Sequence, residues 1–460
     1  MEKTHPLTKK ENFLMKVRLW FLTLILLLAS CTPRSPRVTP TPPPEGTPSL
    51  EAATVTPKAA ASRRVPAPTQ TAVSPSPAAA SPQGNFSVGV RITTQLTPQQ
   101  IAFINQHYQV VMTPILSREA RESIQGPQLM LYRSIQGTWT DFTQFDWAHI
   151  DAHENMFAHH AGERILTRWD SWLMAPGDMV PPASEDARDH WVNYYALTAS
   201  EQVYSFGYDG LFVDSASHWL NPRAVFGKMP DDYDPDAWYQ ARVEALTYVK
   251  SLLPDKTVVF NGLHNGHGAE DSLENTDGGM WETFAFQPQS GQYQGEEAWE
   301  EAIALTARHP DKAIVLVVKE QPGLLEDIQK RTFVTASYLL VSRPNLYFSM
   351  TDLQHAGSGS ILYFPEYTLN LGAPLGAYTR DDNGLYSRRF ERGLVLVNPS
   401  ASRSLPWTAD ADYRQVVPVG GGEVRADGGW EGTLEYEPLA AGQAVEIPPA
   451  GALILVQPGD

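Results

Sequence analysis

The sequence has one cysteine in 460 residues, Cys31, so no intramolecular disulfide can staple the fold. With no other thiol, cysteine-based zinc sites are excluded, and no His-Glu-x-x-His stretch offers a helical alternative. Positive charge is scarce: 35 Lys and Arg stand against 52 Asp and Glu, a net charge of −17. The first 84 residues are themselves basic, which leaves the remainder near about −23 by count. Such a surface repels nucleic acid and anionic lipid. No glycine-rich phosphate loop follows the first strand candidate, which argues against a doubly wound nucleotide-binding fold. There is no internal repeat.

What is present begins with an address. Lys9, Lys10, Lys16 and Arg18 precede or open an uncharged apolar run from Leu19 to Ala29, of signal-peptide length and short for a membrane span. The run ends in Leu28-Ala29-Ser30-Cys31, which resembles the lipobox of bacterial lipoproteins. That resemblance implies residues 1–30 as a signal peptide, a lipid on the Cys31 thiol, and a chain exported and held at the cell envelope. The alternative is an uncleaved anchor that happens to end in cysteine. Residues 31–84 are rich in Pro, Thr, Ser and Ala and contain no aromatics. Such a segment buries too little apolar surface to offset its ordering entropy, so a stalk is expected. As polyproline II it would reach on the order of 160 Å.

From residue 85 to 380, short apolar runs alternate with amphipathic stretches. Strands are expected at Ser87–Ile92, Tyr108–Thr113, Gln128–Arg133, Gly210–Asp214, Thr257–Asn261, Gly278–Glu282, Ala313–Lys319 and Asn345–Met350. Helices are expected at Pro98–Gln106, Ala187–Ser205, Asp236–Leu253, Glu296–Arg308 and Leu325–Val341. Eight strands with intervening helices argue for a (β/α)8 TIM barrel. From 381 to 460 the runs are short, alternating and punctuated by Gly, Asn, Pro and Asp, the pattern of a small antiparallel β-sandwich. A barrel followed by a sandwich is common among enzymes that cleave polysaccharides, an argument by association.

In a barrel the chemistry sits where strands end, at their C-terminal side. The fourth expected strand ends in Asp214 and the sixth in Glu282. Cleavage of a glycosidic bond needs two carboxyl groups, one to protonate the leaving oxygen and one to attack carbon or activate water. Asp214 and Glu282 can supply them, although Asp214 could instead cap a helix and Glu282 could be one half of an ion pair. Tyr132, Arg133, Asn261 and Lys319 are candidate substrate contacts by strand-end position. In the long excursion between strands three and four, Arg168, Trp169, Asp170 and Trp172 offer indole faces for sugar rings and polar groups for hydroxyls. Indoles pack in cores equally well.

Tyr208-Asp209-Gly210-Leu211-Phe212-Val213-Asp214, Asn261-Gly262, Trp281-Glu282 and Gly393-Leu394-Val395-Leu396-Val397-Asn398-Pro399 together resemble the "hypothetical glycosyl hydrolase" barrels. That type is distantly similar to polygalactosaminidase and α-galactosidase barrels. The resemblance implies Asp214 as nucleophile, Glu282 as acid/base, an oligo- or polysaccharide substrate and no cofactor. The short gap between Asn261 and Glu282 departs from the pattern, because it leaves little room for a full helix. A surface lipoprotein that binds glycans without cutting them is the other reading these residues allow.

Remaining motifs read as structure. His153, His159 and His160 cluster, and His264 and His267 form a pair, but neither set has metal-ligand spacing, so no metal is expected. Asp231-Asp232-Tyr233-Asp234 lacks the spacing of a calcium loop and reads as a solvated turn opening a helix.

Overall fold

The computed structural model describes residues 86–91, 96–140, 145–177, 179–181, 183–265, 269–320, 326–352 and 360–459. Cys31, the signal-like segment and the 31–84 stretch lie outside them, as do Ile92 and His267. Among the described residues no helix is long and apolar enough to cross a membrane.

Eight parallel strands form one sheet: β1 (Gly89–Arg91), β2 (Val110–Thr113), β3 (Gln128–Ser134), β4 (Gly210–Asp214), β5 (Thr257–Asn261), β6 (Gly278–Trp281), β7 (Ala313–Glu320) and β8 (Leu346–Asp352). The sheet closes on itself: Val88 bridges Phe348 in parallel, and the Phe348 amide donates to the Ser87 carbonyl at 2.8 Å. The connections carry α1 (Pro98–His107), α2 (Arg118–Ser123), α3 (Trp191–Phe206), α4 (Pro235–Leu252), α5 (Ala269–Asn275), α6 (Glu296–Arg308) and α7 (Ile328–Val341). This is the α/β barrel expected, followed by antiparallel strands.

Local chemistry sets the helix ends. Thr97 caps α1 with Gln100 in a reciprocal capping box and Pro98 at the first turn. The acidic run before α4 ends in Asp234, whose Oδ1 accepts from the Ala237 amide at 2.8 Å. Gly207 leaves α3 in the left-handed region at φ 71°, where a side chain would be strained. Two short helices, α2 and α5, escaped sequence patterning. At six and seven residues they are too brief to show a period. Helix α5 is what fills the narrow gap between Asn261 and Glu282.

Alternation along the strands divides the side chains between two cores. Val110, Met112, Met130, Tyr132, Phe212, Val259, Met280, Val315 and Val317 fill the barrel interior. Their neighbours Val111, Leu131, Leu211, Val213, Val258, Phe260, Leu316 and Val318 face the helices. Gly278 suits close strand contact here, since a Cβ would stand 1.9 Å from the Ala313 carbonyl oxygen.

After β8 the chain makes a 3-10 turn, Pro365–Thr368, and enters a six-stranded antiparallel sheet. Its strands run, in spatial order, Thr379–Arg380, Tyr386–Phe390, Gly393–Asn398, Gly451–Val456, Tyr413–Gly420 and Gly432–Leu439. A two-stranded ribbon, Leu405–Thr408 with Ala444–Ile447, is joined to one face through Leu394, Leu396, Leu453 and Leu455. Glu423 stands outside that sheet and pairs with Leu362 beside the 3-10 turn.

Helix α7 is enclosed on every side, and every residue from Arg331 to Val341 is buried. A helix buried all round needs a partner on each face. Here the barrel takes one, and Val395, Val397, Ile454 and Val456 of the antiparallel sheet belong to the same continuous core. Within that contact Arg331 Nε and Nη2 donate to the two oxygens of Glu366 at 2.7 and 2.6 Å, and Nη1 donates to the Gly420 carbonyl at 2.9 Å. The pair is almost completely excluded from water. Glu366→Gln or Arg331→Met should therefore cost about 3–5 kcal/mol of unfolding free energy, because each strands the other group without its partner. Urea denaturation checks it; a loss below about 1 kcal/mol would show that the pair is dispensable.

Candidate functional site

The C-terminal ends of β3 to β7 bring five of the candidates together. Alternation turns Tyr132, Asp214, Asn261 and Lys319 toward the barrel axis, above the apolar layer of Phe212, Val259 and Met280. Glu282 follows β6 and joins them. Asn261 is the hub. Its Nδ2 donates to Asp214 Oδ1 at 2.8 Å and to Glu282 Oε2 at 3.0 Å. The other oxygen of Asp214 accepts from the Tyr132 hydroxyl, and the other oxygen of Glu282 is 3.0 Å from Lys319 Nζ.

Asp214 does not cap a helix. Ser215, next in the chain, takes the left-handed conformation at φ 57°, and the Ala216 amide returns to the Asn261 carbonyl at 3.0 Å. This sharp turn holds the carboxylate at the strand end, 8% exposed. Glu282 does form the ion pair that the sequence allowed. Burial pushes its carboxyl up, but Lys319, the Asn261 amide and His264 together outweigh burial and bring it down to about 2. Glu282 is thus ionised across the ordinary pH range.

His264, which no ligand spacing marks in the sequence, lies in this site, on the 3-10 turn Leu263–Asn265 that leaves β5. Burial holds its imidazole below the ordinary value, against the pull of the Glu282 and Asp214 charges. Its buried Nδ1 has no hydrogen-bond partner among the described residues. Strand-end position, three residues after Asn261, is the signal that would have found it.

Arg133 is turned elsewhere. Its neighbours in β3 point inward, so Arg133 points outward, fully buried, with Nε donating to Gln202 of α3 at 3.0 Å and the guanidinium 5.6 Å from the Phe145 ring centre. It ties the barrel to a helix. The excursion between β3 and α3 starts beside the site, since the Ile135 amide donates to the Asp214 carbonyl at 3.1 Å. Within it Trp169 is 53% exposed, stacked under Arg168 at 4.7 Å and fixed by Trp139 Nε1, which donates to its carbonyl at 2.9 Å. Asp170 beside it adopts φ 56° in an exposed turn. Trp172 is different: it pairs with Thr138 in a two-stranded ribbon and packs against the main core.

Residues 132–394 match the model of hypothetical glycosyl hydrolase family 15. The chain belongs to that family. The matched span runs from Tyr132 through every residue of the site to the first strands of the antiparallel sheet. No curated protein matches the sequence significantly. Among solved structures, the glycoside hydrolase domain of PelA from Pseudomonas aeruginosa is similar at 15% identity, covering 57% of this chain and 94% of that one, with a TM-score of 0.39. Isomalto-dextranase from Arthrobacter globiformis T6 is similar at 11% identity over 82% and 73%, TM-score 0.44. α-Galactosidase I from Mortierella vinacea is similar at 8% over 80% and 96%, TM-score 0.38.

The Glu282 carboxyl carries a pH signature. Its folded value of about 2 lies below the ordinary 4.5, so the stability it contributes is present above pH 4.5 and is lost as pH falls toward 2. Lys319→Met removes the main attraction and should make the acid loss of stability over that window shallower. Denaturation curves of both proteins at pH 5 down to about 2.5 test this; parallel pH dependences would show that Lys319 does not set the Glu282 charge.

Proposed function

We propose that this family 15 member hydrolyses O-glycosidic bonds of an oligo- or polysaccharide through Asp214 and Glu282, with retention of configuration and without a cofactor. The observation that carries the reading is the single Asn261 amide donated to both carboxylates. Two oxygens bonded to the diverging N–H bonds of one amide stand roughly 5 Å apart, the spacing of retaining rather than inverting pairs.

In this reading Asp214 attacks the anomeric carbon while Glu282 gives a proton to the leaving oxygen. Water then attacks the anomeric carbon of the glycosyl ester and gives a proton to the Glu282 carboxylate, and the bond to Asp214 breaks to release it as the carboxylate. Two donors on Asp214, from Tyr132 and Asn261, fix the orientation of its oxygens for attack. Glu282 needs more. In the unliganded protein Lys319 holds it ionised, so acid catalysis requires substrate to draw the Lys319 ammonium away and restore proton affinity. The exposed Trp169 with Arg168 and Asp170 supports a sugar contact on the excursion, and Tyr132, Asn261 and Lys319 would meet the sugar beside the carboxylates. A lipid on Cys31 would hold the chain outside the cytoplasm, facing a substrate too large to import.

Asp214→Asn and Glu282→Gln should each lower release of reducing ends by about a hundredfold or more on any polysaccharide the full-length protein cleaves, found by screening neutral and amino-sugar polymers. Azide with an activated aryl glycoside separates the roles. Glu282→Ala should yield a glycosyl azide of retained configuration, and Asp214→Ala one of inverted configuration. Unchanged turnover in both variants refutes the pair. Glycan binding that survives both substitutions, with no cleavage by the unmodified chain, would identify a binding protein instead.

A further inference from the structure

The excursion between β3 and α3 brings together a second constellation, away from the two carboxylates. A short helix, Trp147–Asp151, carries His149, and His153 lies one turn on; the 3-10 turn Ala187–Asp189, just before α3, carries Asp189. His153 Nε2 is 3.0 Å and His149 Nε2 3.7 Å from Asp189 Oδ1, and the three ligand atoms lie within 4.8 Å of one another. Four-coordinate zinc with ligands at about 2.0–2.2 Å sets those ligands roughly 3.3–3.5 Å apart. We propose that His149, His153 and Asp189 bind one divalent transition-metal ion of the Zn2+ or Ni2+ class, which pins the start of the excursion to its end.

Three observations support a built site. His153 Nδ1 is 2.7 Å from the His149 carbonyl oxygen; as a donor to it, the ring leaves its Nε2 lone pair for a metal, the arrangement in which ligating histidines are held. The His149 ring stacks on Tyr194 of α3 at 5.1 Å and 17°, and the Tyr194 hydroxyl accepts from the Asp146 amide, so the helix is anchored before any ion arrives. Asn155 Nδ2 donates to the Asp189 carbonyl at 2.8 Å and fixes the opposing turn. His149 Nε2 also lies 2.8 Å from the Arg188 carbonyl oxygen, so the ion would replace that hydrogen bond. Imidazole and carboxylate without thiolate suit Zn2+, Ni2+ or Cu2+ over Ca2+ or Mg2+. The sequence cluster misleads here. His159 instead sits 2.7 Å from Glu154, and His160 2.7 Å from the Met229 carbonyl oxygen. The informative spacing is His149 to His153, four apart.

Calorimetry of untagged full-length protein with ZnCl2, and separately NiCl2, should show one equivalent bound per chain. His153→Ala and Asp189→Asn should each weaken that binding by more than about tenfold, while His160→Ala leaves it unchanged. Zn2+ should raise the Tm of the parent protein and of His160→Ala but not of the other two. A variant that fails to fold is replaced by the other, since either ligand suffices. No saturable uptake at one equivalent, or uptake that ignores both ligand variants, overturns the site.

Discussion

One amide nitrogen separates the two carboxylates of this barrel. Asp214 and Glu282 meet over a floor of Phe212, Val259 and Met280, and carboxyl groups so placed need hydrogen-bond donors around them. Asn261 lies between them and gives one hydrogen to each, while Tyr132 and Lys319 take the outer oxygens. Every neighbouring strand from β3 to β7 contributes one of these five residues or leads into it. The arrangement therefore depends on barrel closure and register: slip one strand by a residue and its member of the set turns out toward the helices.

That dependence explains how much was legible in advance. Strand ends can be read from apolar runs, and parity within a strand follows, so Asp214, Asn261 and Lys319 were accessible to sequence reasoning. Arg133 was placed wrongly because it was chosen by strand-end position without parity; as the neighbour of inward Tyr132 it has to face out. Trp169 and Trp172 stand three apart in one excursion, yet one is exposed and the other packed, because a two-stranded ribbon fixes Trp172 and a tight turn projects Trp169. No periodicity signals such a turn. His264 was lost for a different reason: histidine away from any ligand motif is usually structural, and its place beside Glu282 comes from a 3-10 turn of three residues.

Electrostatics at Glu282 constrains any account of the chemistry. An acid held at about 2 by Lys319 has little proton to give in the unliganded protein. Under the acid role proposed for Glu282, catalysis would be coupled to binding: a sugar hydroxyl that competed for the Lys319 ammonium would both gain a contact and restore the acid. Binding energy from the rest of the substrate would thus be converted into a change of protonation state at the reacting centre.

The antiparallel sheet bears on the same site from behind. Among the described residues no eighth crossover helix follows β8, and the barrel flank it would cover is shared by α7 and the sheet. Because α7 is buried on all sides, the sheet cannot be an appendage that a shorter chain could lose without uncovering part of that helix. Arg388 strengthens the point: from the sheet it donates at 3.0 Å to the carbonyls of Leu339 and Ser342, the groups a helix C-terminus leaves without partners. The β7 strand that carries Lys319 leads through α7 to β8, so the position of the cation against Glu282 rests on a helix whose outer wall is the sheet.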